Sequence, residues 1–378
     1  MLVTTRKVLS LLLVVITLVL GGCAAAPTNS PTAPATSPAA TLSSTPTAAP
    51  TTAPTATTAA TPTAAATPVP TAAPTSTAAP AATATPLAAA TGTAAPAVSY
   101  PMTVTDAAGR QVTIAKVPER IVTLAPSDTE IVYALGDGSK VVGVDQFSDY
   151  PAEAKALQTI GGSDGQFNYE QIVNLKPDLV LAAGTTSPEA MKKLEDLKLT
   201  VVQVGITQST FDSIFSDINL VGQITGRQDQ AQALTSNMRQ RVDAIEAKVA
   251  TTSTRPRVFW ELDATDPSKP YTVGPGSFVN DLITMAGGTN IFANTKSPYP
   301  QVSSEQVVAL NPQVIILSDA SYGVTVDSVL KRPGWQSIEA VQKKQVYPID
   351  TNIVSRPGPR IVDGLEAAAK LIHPELFK

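Results

Sequence analysis

The sequence predicts an α/β fold of two lobes built on one plan and joined by a single long helix, and three observations predict it. The first is an internal repeat. Residues Glu170 to Leu181 (EQIVNLKPDLVL) match Glu305 to Ile316 (EQVVALNPQVII), with five of twelve positions identical and four more exchanging only Ile, Leu and Val. The second is what each copy encodes: Asn168 or Ser303 caps a short helix, the helix stops before Pro177 or Pro312, and an aliphatic run then suits a buried parallel strand. The third is one helical stripe from Asp229 to Val249, where Ala231, Leu234, Met238, Val242, Ile245 and Val249 recur at spacings of three and four. At 1.5 Å per residue such a helix is about 31 Å long, enough to brace two lobes side by side.

The elements follow in chain order. Arg6-Lys7 precedes an apolar run from Val8 to Leu20, too short to span a bilayer comfortably and right for a signal peptide. Residues 1–22 are therefore read as an export signal, ending just before Cys23, the only cysteine. Ala24 to Ala97 holds 14 of the 32 prolines and no charged or aromatic residue, so it has little with which to offset the entropy of ordering. Residues 23–98 are read as a tether. In the N-terminal lobe (99–226), Met102 to Ile114 alternates around Ala108-Gly109 as a hairpin, and Arg120 to Leu124 is a strand. Ser127-Asp128-Thr129-Glu130 then opens a helix over Ile131 to Leu135 that Gly136 closes. Strands at Val141 to Val144, Leu179 to Ala182 and Val201 to Val204 complete that lobe. After the interlobe helix (227–250), the C-terminal lobe (251–378) repeats the alternation. Its elements are a strand at Val258 to Glu261, a helix from Ser277 to Met285, and strands at Val314 to Leu317 and Val346 to Ile349. No second crossover is evident, which favours a stiff clamp over a free hinge.

Composition removes several classes of function. From Ser99 onward there are 25 basic and 31 acidic residues, which gives nucleic-acid binding no electrostatic footing. One His and one Cys in the whole chain exclude a Cys/His zinc site, a disulfide framework and a Cys-His or Ser-His catalytic unit. His373, followed by Pro374, reads as a surface or helix-end residue rather than a ligand to haem or metal. No catalytic residue, metal site or cofactor is expected.

Leu20-Gly21-Gly22-Cys23 resembles the lipobox of bacterial lipoproteins, in which the cysteine is lipidated and becomes the first mature residue. From about Met102 to the end the chain resembles the periplasmic substrate-binding proteins of ABC importers, of the type whose two lobes share a single helix and which carry cobalamin, ferric siderophores or haem. The resemblance rests on Pro118-Glu119-Arg120-Ile121-Val122, Phe147-Ser148-Asp149-Tyr150-Pro151, Tyr299-Pro300-Gln301-Val302-Ser303-Ser304-Glu305-Gln306 and Pro359-Arg360-Ile361. The Ser-Asp-Tyr-Pro, Pro-Gln-Val-Ser and Pro-Arg segments look most like the cobalamin-binding branch.

That resemblance implies two Rossmann-like lobes with a ligand cleft between them. It also implies a protein held on the extracytoplasmic face of the membrane by lipid at Cys23, an ABC permease dimer with its cytoplasmic ATPase as partner, and no nucleic acid. Tyr150 and Tyr299 match aromatics of the cobalamin branch, Phe167 stands in for another, and Asn352 and Arg356 are placed to hydrogen-bond the amides on a corrin rim. Glu170 and Glu305, one per repeat copy, would dock on permease arginines. A corrinoid is the expected ligand, with a ferric siderophore or haem as the alternative on the same fold. A tethered surface or adhesion module without a permease is the alternative of another class, and the paired glutamates argue against it.

Overall fold

The protein is described here by a computed structural model covering residues 98–162 and 166–378. The signal peptide, Cys23 and the tether lie outside the described residues. Among those described, no helix is long and apolar enough to cross a membrane.

The N-terminal lobe begins with an antiparallel hairpin, β1 (Met102–Thr105) and β2 (Gln111–Ile114). It continues as β3 (Ile121–Thr123), α1 (Pro126–Ala134), β4 (Val141–Val144), β5 (Gln158–Thr159), α2 (Tyr169–Asn174), β6 (Leu179–Ala183), α3 (Pro188–Asp196), β7 (Val201–Val204) and α4 (Phe211–Thr225). The strands form a parallel sheet in the order β5-β4-β3-β6-β7. The predicted interlobe helix is α5 (Gln228–Val249). The second lobe runs β8 (Arg257–Asp263), β9 (Tyr271–Thr272), α6 (Phe278–Met285), β10 (Thr289–Asn290), α7 (Ser304–Leu310), β11 (Val314–Leu317), α8 (Val326–Leu330), α9 (Glu339–Gln342), β12 (Val346–Pro348), α10 (Thr351–Val354) and α11 (Ile361–Ile372). Its sheet is parallel in the order β10-β8-β11-β12, with β9 antiparallel on β8. Each sheet draws its strands from one side of α5.

The sequence repeat is a structural repeat down to its caps. Asn168 accepts the Gln171 N–H at 2.9 Å and Ser303 accepts the Gln306 N–H at 3.3 Å, so α2 and α7 start alike. Both stop on a left-handed residue just before the repeated proline, Lys176 (φ 49°) and Asn311 (φ 46°). An arginine entering the first strand of each sheet then clamps the carbonyl end of that helix. Arg120 donates to the Leu175 carbonyl at 2.6 Å and Arg257 to the Asn311 carbonyl at 2.8 Å. These donations offset the orphan carbonyls of a short helix.

One apolar core runs through both lobes. The buried face of α5 (Ala231, Met238, Val242, Ile245 and Val249) packs in the same cluster as Phe215 and Val221 of α4 and Leu365 and Ile372 of α11. The brace is thus a layer of helices, and α5 is its centre. His373 ends α11 as expected of a helix-end residue, but it is not on the surface. It is buried, with Nδ1 3.0 Å from Glu375 and Nε2 3.2 Å from the Gly287 carbonyl, and so ties α11 to the turn after α6.

The largest departure from the sequence reading is α1. The helix starts at Pro126, after Ala125, which makes no side-chain cap, and Ser127, Asp128, Thr129 and Glu130 are all buried within it. Proline needs no donor at a first helical position, so the start is stable without a polar cap. That frees these side chains for tertiary contacts. Glu130 receives Arg360 in a forked pair at 2.6 and 2.9 Å and Arg356 at 3.2 Å, both from the other lobe. Removing one partner of a buried pair leaves an uncompensated charge and costs roughly 3–5 kcal/mol. Glu130→Gln should therefore lower the unfolding free energy by about 3 kcal/mol, measured by urea denaturation. An unchanged midpoint would show that the Glu130 pairs add nothing to the stability of the fold.

Candidate ligand-binding cleft

In parallel α/β sheets the loops beyond the carboxyl ends of the strands are the usual place for a ligand. Here two such edges face each other. A cavity of about 560 Å³ lies between them, lined by the turns after β3, β6 and β7 on one side and by segments after β8 and α10 on the other. Its volume falls in the range that holds drug-sized organic ligands.

The predicted site residues divide. Tyr299, Asn352 and Arg356 line the cavity. Tyr150 and Phe167 do not. Tyr150 is half exposed, but the Arg360 guanidinium covers its ring at 3.9 Å and it opens onto a separate hollow of about 540 Å³ with Tyr133, Glu153 and Pro359. Phe167 is buried in the outer core of the N-terminal lobe with Ile160 and Ile172, its ring edge-on to Tyr169. The turn at Gly161 and Gly162, both at positive φ, pairs Gly161 with Phe167 and folds the ring inward. Glu170 and Glu305 are exposed, each the second residue of its helix.

Sequence reasoning missed two aromatics of the cavity. Phe147, 56% exposed, belongs to the motif that also contains Tyr150, and it is Phe147 that faces the cavity. Tyr322, 80% exposed, enters from a short turn after β11. Together with Tyr299 they supply flat faces from both lobes, large in area and low in rotamer entropy.

Arg356 is present but occupied. It donates to Asp149 at 2.6 Å, to Glu130, and to the Phe147 carbonyl at 3.1 Å. Burial works against ionisation of Asp149, but the Arg356 hydrogen bond and charge outweigh it and hold that carboxyl below the usual range. Against this paired cation stand two cavity-lining acids that the sequence did not single out, Asp128 and Asp217. Asp217 accepts the Gly205 N–H at 3.0 Å. Asp128 is fully buried and neither carboxyl oxygen has a well-formed hydrogen bond, the neighbouring Ser127 hydroxyl offering only a weak one. Burial pushes its carboxyl well above the ordinary range, with Asp217 and Asp145 adding to the rise and the Ser127 hydroxyl opposing it. Among the described residues no group of His, Cys, Asp and Glu is arranged to hold a metal ion.

Burial raises Asp217 to about 6, against the pull of the Gly205 N–H. The folded state then binds this proton more tightly than the unfolded chain does, so the carboxyl removes stability as pH rises from about 4 through about 6. Asp217→Asn keeps an oxygen for the Gly205 N–H. It should stabilise the protein by about 3 kcal/mol at pH 8 and hardly at all near pH 4, read from unfolding free energies at the two values. A gain independent of pH would mean that the carboxyl is not raised.

Comparison with known proteins places the chain. Residues 121–353 match the family described as Periplasmic binding protein, and the chain belongs to that family. It is 37% identical over 282 residues to an uncharacterized ABC transporter substrate-binding lipoprotein of Bacillus subtilis, covering 74% of this chain and 88% of that one. It is also 37% identical over 287 residues to a cobalamin-binding protein of Halobacterium salinarum, covering 73% of this chain and 75% of the other. Among solved structures, a periplasmic haem-binding protein of a Roseiflexus species shares the fold, with a TM-score of 0.62 and 27% identity over 68% of this chain and 99% of its own.

Proposed function

We propose that this member of the periplasmic binding protein family is the extracytoplasmic substrate-binding lipoprotein of an ABC importer, and that its cleft takes cobalamin or a related corrinoid. One observation carries the ligand assignment: the cavity offers aromatic faces from both lobes, while the only cation among its described lining residues is already paired to two carboxylates. A corrin ring presents broad flat faces and an uncharged rim of amides, which this wall suits. Haem, with free propionates, needs a cation that Arg356 does not have to spare. The 37% identity to a protein called cobalamin-binding supports the same reading. The related haem-binding fold keeps haem as an alternative, and a ferric siderophore stands beside it on the same fold.

Lipid at Cys23 and the proline-rich tether would hold the binding lobes near the permease. Glu170 and Glu305 fit the docking role in three respects. They are exposed, one on each lobe, and alike in their helices. Each also sits where a helix dipole favours an acid, an effect worth only some tenths of a kcal/mol. That effect alone gives no reason for the two lobes to repeat the residue.

Isothermal titration of the purified protein with cyanocobalamin should show binding, weakened at least about tenfold by Tyr299→Ala through the loss of aromatic contact. Heat with hemin or a ferric chelate and none with any corrinoid would move the ligand to another branch. For docking, reversing both Glu170 and Glu305 to Arg should leave ligand affinity within about twofold and abolish uptake in cells carrying the cognate permease, because like charges meeting across an interface cost several kcal/mol. Unimpaired uptake would return both residues to the helix-dipole role.

A further inference from the structure

The cleft wall of the N-terminal lobe has a feature that ligand stacking does not use. Asp128, in the first turn of α1, is fully buried with neither carboxyl oxygen in a well-formed hydrogen bond, and it lines the cavity beside Asp217 of α4. A buried polar group left without a partner is costly, and more so if charged, so such a group facing a cavity points to what the cavity receives. The elements packed around Asp128 bring further acids and no free base. Asp217 faces it from α4 and Asp145 from the loop after β4, where Asp145 is held by the Ser148 hydroxyl and the Phe147 N–H. Arg356, the cation of the wall, is bound to Asp149 and Glu130, and Arg360 is bound to Glu130.

We propose that Asp128 and Asp217 make this wall a charge filter, which admits ligands with an uncharged rim of amides or hydroxamates and turns away ligands of the same shape that carry a carboxylate there. The proposal rests on the ligand-binding role of the cleft and refines it. An entering carboxylate finds no unpaired cation and meets the ionised Asp217 at close range. An amide meets the same wall with N–H donors for the Asp217 carboxylate and both a donor and an acceptor for Asp128. The filter sharpens as Asp217 loses its proton, which happens near pH 6.

The test compares cyanocobalamin with its separate monocarboxylic acids, each having one peripheral amide hydrolysed, by titration of the whole folded protein between about pH 5.5 and about pH 8. At the upper end at least one isomer should bind about tenfold or more weakly than the parent amide, as like-charge repulsion in a partly desolvated site requires. The gap should narrow toward the lower end as Asp217 takes up its proton. In the double variant Asp128→Asn with Asp217→Asn the same isomer should lag by no more than about threefold at every pH. The readout is the ratio of the two affinities. A gap that is absent for every isomer, or that ignores both pH and the double substitution, overturns the filter. The wild-type pH profile decides even if the variant fails to fold. If no corrinoid binds, a neutral ferric trihydroxamate is compared with hemin and an anionic ferric tris-catecholate. Preference for the neutral complex keeps the filter and overturns the corrinoid reading, whereas equal or tighter binding of the anions overturns the filter.

Discussion

Glu130 is where the fold and the cleft meet. Its carboxylate is almost fully buried, sits on the first helix of one lobe, and is gripped by two arginines that follow the last strand of the other. Buried ion pairs are weak evidence for net stability, because desolvation consumes most of the attraction. What this one does is geometric. Two guanidiniums on one carboxylate, one of them forked, fix the carboxyl ends of the two sheets against each other, while the core through α4, α5 and α11 joins the lobes by apolar packing. The same knot decides the charge of the cavity. Arg356 is spent on Glu130 and Asp149, and Arg360 on Glu130 and the face of Tyr150, so the wall they help build is not basic.

The parts of this architecture that depend on local pattern were legible. Strand positions, the stripe of α5 and the equivalence of α2-β6 with α7-β11 follow from periodicity, capping residues and proline, all of which act within a few positions in the chain. The site was legible only in part, and the misses share a cause. Tyr150 matches an aromatic motif, but Arg360, some two hundred residues away, covers it, and its neighbour Phe147 takes the cavity. Phe167 was assigned by motif position and is drawn inward by a turn at two glycines. Ser127-Asp128-Thr129-Glu130 reads as a helix-opening segment, yet Pro126 starts the helix, its side chains are buried, and Glu130 turns to partners in the other lobe. Long-range pairing of charge leaves no periodic trace.

One missed residue did leave a trace. In α4 the buried stripe runs Ile214, Asp217, Ile218, Val221, and the acid breaks it at a position where the helical period demands an apolar side chain. A charged residue on the core face of a helix is either paired or placed for function. Asp217 has only a backbone N–H for company and its pKa is raised accordingly.

The second lobe supplies the control that separates those two cases. It too buries acids near its strand ends, and one of them is fully matched. Glu261 is matched by Arg332 in a forked pair at 2.7 and 3.0 Å, whereas Asp319 accepts the Ala264 N–H at 3.0 Å through one oxygen and leaves the other unpartnered. Asp319 is raised to about 6, as Asp217 is, by burial and by the Glu261 charge, but it does not line the cavity. Acids left partly unpartnered therefore occur in both lobes, and what distinguishes Asp128 and Asp217 is that they line the cavity. In the C-terminal lobe the Glu261–Arg332 pair holds structure together. In the N-terminal lobe Asp128 has no well-formed hydrogen bond among the described residues, and the cavity it lines is where a partner can arrive. A binding protein needs such an asymmetry, since a wall satisfied on every side would gain nothing from its ligand.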